Sequence, residues 1–224
     1  MAGSFSASRI DVSGWTNYSP VTLSFWFNLT SPLKDPERLV GSDDNWEVRV
    51  TQDWTPGSPR VANELFASTT QTPPAYSTTV VAANTLYFVV ASATYNVSSA
   101  LYINGVLEST GTCVDNPTGT TFSIGGSSWA PLSSGLNGTV DDVRVYNRIL
   151  TADEIATMYA CKGTDGDTNG LVDRWLMDEG AEGNTMTGTG SVKNMVDGGA
   201  NGTPNGTPAY IGSFIKKRRM TTWQ

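Results

Sequence analysis

Apolar and polar residues alternate along most of this chain, beginning within its first dozen positions. SFSASRIDV (4–12) reads as a strand, and VTLSFWFNLT (21–30) follows with Leu23, Phe25 and Phe27 on one face. RLVGS, NWEVRVTQ and RVANELFAST continue the series. TLYFVVASATY (85–95) is a long strand with aromatic positions, and ALYINGVLEST (100–110) comes after it. The Asn104-Gly105 pair lies between two apolar runs, which is the strongest short-range hairpin signal. TTFSIGG and LNGTVDDVRVYNRIL complete the run of strands. Strands this short and this closely spaced predict a two-sheet antiparallel sandwich or jelly roll.

The pattern changes period once. TADEIATMYA (151–160) opens with Thr151 and carries Glu154 three positions later, a capping box in which each side chain satisfies a free backbone donor. Ile155, Met158 and Tyr159 then form an apolar stripe, so one short helix is expected against the sandwich. Beyond it come a polar loop, a strand-like LVDRWLM (171–177), and a Gly/Thr/Asn-rich stretch ending in PAYIGSFI.

That loop, TDGDTNGLVDRW (164–175), poses a chemical question. Asp165, Asp167, Asn169 and Gly170 match the first half of the calcium-loop pattern D-x-[DN]-x-[DN]-G, and Asp173 stands at its ninth position. The twelfth position, which should carry a bidentate carboxylate, is Leu176. Calcium is therefore the candidate cofactor, with Asp165, Asp167, Asn169 and Asp173 as candidate ligands. The competing reading is a Gly/Asp-rich turn with solvated carboxylates.

Composition narrows the function classes. Of the 224 residues 16% are charged, below the usual value of about 25%, and a formal net charge of −7 argues against a general nucleic-acid binder. The one basic run, Lys216 to Arg219, sits almost at the C-terminus and reads as a solvated tail or a dock for an acidic partner. With no histidine there is no His-based triad, no His-ligated zinc and no ordinary base near neutral pH. Cys113 and Cys161 are expected as free thiols rather than a disulfide framework. No apolar segment approaches the ~18–20 residues needed to span a membrane, and MAGSFSASRIDVSGW does not read as a signal peptide. Six N-x-[ST] sequons read as chance in a chain this rich in Asn, Ser and Thr.

Three pieces, in order over residues 4 to 160, carry a resemblance. LNGTVDDVRVYNRILTADEIATMYA resembles the closing strand and helix of the laminin-G-like group of the concanavalin A-like lectin/glucanase superfamily. LSFWFN resembles that family's early core strand, and LYFVVASATYNVSSALYINGVLEST its central strand pair. The resemblance implies an all-β, two-sheet jelly-roll sandwich with one short helix. Chain order departs from the family. GLVDRWLMDEG (170–180) and VDGGANGTPNGTPAY (196–210) look like the family's opening piece, moved to the C-terminus. A circular permutant follows: one sandwich over 1–213, with 165–213 supplying the usual first segment and 214–224 a basic tail. A second, truncated domain from about residue 165 is the weaker alternative, since ~60 residues with so few core positions are hard to stabilise alone.

Some relatives hydrolyse glycans, so paired carboxylates matter. No E-x-D-x-x-E pattern occurs; Glu47 and Asp53 are six residues apart, and the adjacent Asp141 and Asp142 point to opposite faces of a strand. Asp141 or Asp142 with Asp178 or Glu179 forms a second candidate metal set, and Arg144 is an alternative partner for Asp142. For a glycan, the candidates are the aromatics in turn-rich or strand-edge settings: Trp46, Trp54, Tyr76 and Trp129. Trp15, Phe25, Trp26 and Trp175 are expected to be structural. The reading that results is a non-catalytic adhesion or recognition module. It would bind carbohydrate, on a virion surface as a capsid or tail decoration, or outside a cell. Alternatives are a structural decoration protein that binds only virion proteins, and a glycan hydrolase with an unrecognised acid pair. Self-association suits such a module, and no residue specifies it.

Overall fold

The computed structural model describes residues 1–30, 37–42, 46–52, 59–65, 75–113, 118–213 and 215. Its strands in chain order are β1 (Ala2–Phe5), β2 (Arg9–Ser13), β3 (Val21–Leu29), β4 (Glu37–Ser42), β5 (Trp46–Gln52), β6 (Pro59–Leu65), β7 (Ala75–Val80) and β8 (Leu86–Thr94). These are followed by β9 (Ser98–Ile103), β10 (Val106–Gly111), β11 (Thr121–Ile124), β12 (Gly138–Tyr146), β13 (Leu171–Trp175), β14 (Thr203–Asn205) and β15 (Ala209–Ile211). One helix, α1 (Ala152–Cys161), lies between β12 and β13. The strands make two antiparallel sheets. One runs β10-β9-β8-β3-β12-β1-β15 with β13 also on β12; the other runs β14-β2-β11-β4-β5-β6-β7. The all-β jelly-roll sandwich expected from the alternation is the fold observed.

Period-2 alternation decides what lies between the sheets. Leu23, Phe25 and Phe27 of β3 face inward with Val143 and Val145 of β12, against Ile10, Val12, Phe122, Trp46 and Val48 from the other sheet. Trp175 stacks on Phe122 at 5.4 Å, and Phe122 on Trp15 at 4.6 Å, so the expected structural role of both tryptophans holds. Asn104 and Gly105 take φ of 52° and 84° between β9 and β10, the left-handed pair that a two-residue hairpin turn requires.

Two separated pieces of chain share one edge of β12. β1 pairs with its first half, Gly3 opposite Val140 and Phe5 opposite Gly138. β13 pairs with its second half, Trp175 opposite Val143 and Leu171 opposite Tyr146. Both run antiparallel to β12, so they lie end to end in a single strand slot. Their junction is tight: a Cβ on Gly3 would meet the Met177 sulfur at 2.9 Å. The C-terminal stretch also adds β14 to β2 and β15 to β1, one strand to each sheet.

The outer faces of the two sheets differ. On the eight-stranded sheet Trp26, Phe88, Val90 and Tyr146 form an apolar patch, and Ile155, Met158 and Tyr159 of α1 cover it. Tyr159 stacks on Trp26 with ring centroids 5.8 Å apart. Thr151 and Glu154 cap the helix reciprocally: Glu154 N–H donates to Thr151 Oγ1 at 3.3 Å, and Thr151 N–H to Glu154 Oε2 at 2.7 Å. Among the described residues no helix is long and apolar enough to cross a membrane.

Removing the cap tests how firmly α1 is seated. Thr151→Ala is expected to cost about 1 kcal/mol, a fall in melting temperature of about 2–4 °C for a chain of this size, and Thr151→Ser should restore it. Equal melting of the Ala variant and the parent would show that packing alone holds the helix start.

Candidate functional site

The loop between α1 and β13 is built on arginines. Arg144 projects from β12 and forms a two-pronged ion pair with Asp165, its Nη2 lying 3.1 Å from Oδ1. Arg148 donates from Nη2 to Asp167 at 3.1 Å and from Nε to the Asn169 carbonyl at 2.7 Å, while also pairing with Glu154 at 2.7 Å. Asp167 turns back to accept the Asn169 N–H at 3.0 Å. Asp173 is elsewhere, on the inward side of β13, accepting from Asn194 Nδ2 at 2.5 Å. The four candidate calcium ligands thus have separate partners. The positive charge a calcium ion would bring to Asp165 and Asp167 is already supplied by guanidinium groups, so this donor set does not fit the ion. Among the described residues no three His, Cys, Asp or Glu side chains are grouped to hold a metal.

In the second acidic set Asp142 is paired with arginines among the described residues. Asp142 is 2% exposed and sits at the β12 bulge with φ of 48°. Arg144 reaches it at 2.6 Å and Arg174 of β13 at 2.7 Å. These charges hold its carboxyl well below the usual carboxylate range, although burial alone would raise it. Asp141 accepts from Ser213 Oγ at 2.7 Å, and Glu179 from the Lys193 N–H at 2.9 Å. The alternative partner expected for Asp142, Arg144, is the observed one. Cys113 and Cys161 are both free thiols.

The aromatic candidates separate by strand alternation. Trp46 requires a correction: it is 1% exposed and points into the core with Val48 and Val50, so it has no ring face to offer a ligand. The residues between them, Glu47 and Arg49, point outward instead. Trp54 and the basic run Lys216 to Arg219 lie outside the described residues. Tyr76 is half-buried on β7; its register partner Ala62 is opposite Arg49, which is opposite Arg38, so all four belong to one row across the seven-stranded sheet. Trp129 is 53% exposed, with the Arg38 guanidinium 4.5 Å from its ring centroid.

Around Arg38 and Trp129 the outer face of that sheet is polar and densely bonded. Glu47, 2% exposed, accepts from Arg38 Nε and Arg49 Nη1, each at 3.2 Å, and from Ser127 Oγ at 3.3 Å. Next to it along the sheet, Asp11 accepts from Arg9 at 2.9 Å, Ser123 Oγ at 2.7 Å and Asn205 Nδ2 at 2.8 Å. Gly41 separates Ser123 from Glu47 in the same row. A Cβ there would come within 2.8 Å of the Glu47 Cα, so glycine is what allows β4 and β5 to close. The loop after β11 folds back on this face: Arg9 Nη1 donates to the Ala130 carbonyl at 3.3 Å, and Gly135 bridges to Arg38. The result is a half-exposed indole presented over a charged, hydrogen-bonding floor. Sequence reasoning overlooked Arg38 and Arg49 and weighed Glu47 only as an acid for catalysis, though the in-out pattern of WEVRV already placed Glu47 and Arg49 on the solvent side.

Asp173 differs from these carboxylates in having no cation beside it among the described residues. It is 9% exposed and shares the inward side of β13 with Trp175, near the end of the sandwich. Burial pushes its carboxyl up to about 6, and the Asn194 amide offsets this only in part.

A model of the concanavalin A-like lectin/glucanases superfamily matches residues 3–156. No curated protein sequence matches the chain. Among solved structures, a Bacteroides ovatus protein described as a "putative carbohydrate binding protein" superposes with a TM-score of 0.70 at 21% identity. That alignment covers 97% of this chain and 61% of the B. ovatus chain. Domain 4 of AbnA, an extracellular arabinanase of Geobacillus stearothermophilus, solved with arabinotriose, gives 0.54 at 18% identity over 70% of this chain and 76% of its own. The heptameric SAP-like pentraxin of Limulus polyphemus gives 0.52 at 16% identity, over 70% and 83% respectively. The fold similarity to the B. ovatus protein thus extends through β13–β15, beyond the residues the family model matches.

Two substitutions separate the paired from the unpaired acid. Asp142→Asn keeps shape and tolerates the left-handed backbone but strands two buried guanidinium groups; a loss of about 3–5 kcal/mol is expected in chemical denaturation. Because this carboxyl is depressed, its contribution is complete above the unfolded value of 3.8 and drains away as pH falls below it. Asp173 has the opposite sign. Its carboxyl titrates at about 6 when folded and 3.8 when unfolded, so ionisation penalises the fold above pH 6 and the penalty vanishes below about pH 4. Asp173→Asn should therefore stabilise the protein by roughly 1–3 kcal/mol at pH 7.5 and leave it unchanged at pH 3.5. Equal melting of parent and variant at both pH values would refute the assignment.

Proposed function

The chain belongs to the concanavalin A-like lectin/glucanases superfamily, and from that membership we propose that it is a non-catalytic carbohydrate-recognition module. Its binding face is the outer side of the seven-stranded sheet. The observation that carries the proposal is Trp129, half exposed with Arg38 against its ring, above a floor of Arg9, Asp11, Glu47 and Arg49. An indole face takes the apolar side of a sugar ring, and guanidinium and carboxylate groups beside it take hydroxyls. The helix leaves this face alone and covers the opposite one. The similarity to an arabinanase domain solved with arabinotriose supports a saccharide as the ligand class.

The acids of this face are set up to hold and not to react. A glycosidase needs two carboxyl groups about 5–9.5 Å apart, with one kept protonated. Asp11 and Glu47 stand three strand spacings apart, roughly 14 Å between backbones, and both are bonded to arginine. The finer reading is an adhesion module displayed on a virion or outside a cell. The circular permutation belongs to the same proposal and is supported by β13 and β1 sharing one strand slot along β12.

A glycan array with parent protein and Trp129→Ala tests the reading. Binding should fall at least about tenfold in the variant, the scale of losing one well-placed aromatic contact, with melting unchanged because the ring is half exposed. Undiminished binding by Trp129→Ala would remove this face as the site. Hydrolysis of a glucan panel by the parent would overturn the non-catalytic assignment, and binding to virion proteins without any glycan signal would favour the structural decoration role.

A further inference from the structure

Where the sandwich ends, the strands stop covering its interior. A cleft of about 380 Å³ opens there between the loop after β2, strand β13 and the turn at residues 196–200. Trp15, Tyr18, Asp173, Asp197, Gly198 and Gly199 are among the residues that line it. The volume is that of a small-molecule site. Most of the cleft's C-terminal wall falls outside residues 3–156, so it is an addition to the part of the chain the family model describes.

The electrostatics of the cleft are one-sided. Among the described residues its lining contains two aspartates and no lysine or arginine. The carboxylates of the recognition face and the α1 loop each have a guanidinium. Among the described residues Asp173 has none: its one described hydrogen-bond donor is Asn194, on Oδ1, although the residue is nine-tenths buried. Arg174, its neighbour, faces the other way to Asp142. Burial raises the Tyr18 hydroxyl pKa, and the charge of Asp173 adds to that rise. A buried carboxylate without a cation is costly, and a ligand that supplies one recovers that cost. Indole and phenol rings beside the carboxylate favour the same charge.

We propose that this cleft is a second ligand site, separate from the sheet face, and that it takes a small primary ammonium group, paired to Asp173 and flanked by Trp15 and Tyr18. Amino sugars and lysine-like amines share this chemistry. The site stands independently of the glycan reading of the sheet face.

Calorimetric titration of the full chain at pH 7.5 with glucosamine, lysine, N-acetylglucosamine and glucose tests it. Glucosamine or lysine should bind, and N-acetylglucosamine and glucose, which lack the ammonium, should bind at least tenfold more weakly. The tighter of the two amines identifies the source. Asp173→Asn, a variant expected to fold at least as stably as the parent, should weaken the amine at least tenfold, whereas Trp129→Ala should leave it unchanged. Lowering the pH from 7.5 to 5.0 should weaken binding about tenfold, as Asp173 takes up its proton around pH 6; the other ionisable side chains that line the cleft are Asp197 and Tyr18. Equal affinity for N-acetylglucosamine, full affinity in Asp173→Asn, or no heat with either amine would each overturn the proposal.

Discussion

The architecture depends on how the edge of β12 is completed. One strand slot beside it is filled by two pieces of chain, β1 and β13, that are far apart in sequence and meet end to end. Such a joint has no covalent continuity, so something must fix the register of the late piece. Asp142 does this: from the β12 bulge it binds Arg144 of its own strand and Arg174 of β13, and Arg144 extends the pairing to Asp165 beyond the helix. Buried ion pairs contribute little net stability because each charge loses its hydration. Here their value is geometric. A slip of β13 by one residue would bring Asp173 to face the arginine network and turn Trp175 out of the core, an arrangement penalised on both sides.

Placing β13 correctly determines what both of its sides present. Arg174 lies on the helix side with Asp142, while Asp173 and Trp175 face inward. Trp175 is fully enclosed and stacks on Phe122; Asp173, two residues nearer the strand start, reaches the end of the sandwich where enclosure is incomplete. The same alternation operates in β5, where Trp46, Val48 and Val50 fill the core and Glu47 and Arg49 make the polar floor below Trp129. One sheet spends its outer face on docking α1. The other retains an outer face of charges already satisfied among themselves, with a loop indole above it.

Much of this was legible in the sequence and some was not, for identifiable reasons. The strands, the Asn104-Gly105 turn and the capped helix follow from local periodicity and local chemistry, and they appear as read. Fold class followed from them. Trp46 was misplaced because its turn-like approach, GSDDN, outweighed the in-out register of the strand it begins. The half calcium motif has correct spacing, but spacing cannot reveal that Arg144 and Arg148, 21 and 19 residues upstream of Asp165 and Asp167, occupy those carboxylates. Likewise Trp129 stood out as an aromatic in a turn, whereas Arg38, distant in sequence, becomes its neighbour only through sheet order. Contacts between strands that are remote in the chain carry no local signature.

Several described carboxylates have a cation built in beside them. Asp142, Asp165, Asp167, Glu47 and Asp11 each have an arginine within ion-pair distance, and all of them hold elements or a surface in place. The guanidinium groups beside them supply the positive charge that a cationic ligand would otherwise bring. Asp173 differs from these five: among the described residues it has no cation beside it, and it stands in a cleft with aromatic rings. At this position an asparagine would keep the Asn194 contact without the desolvation cost of a charge. A cationic ligand from solution would recover the cost of that charge, and it would do so at the open end of the sandwich, away from the motif-bearing loop.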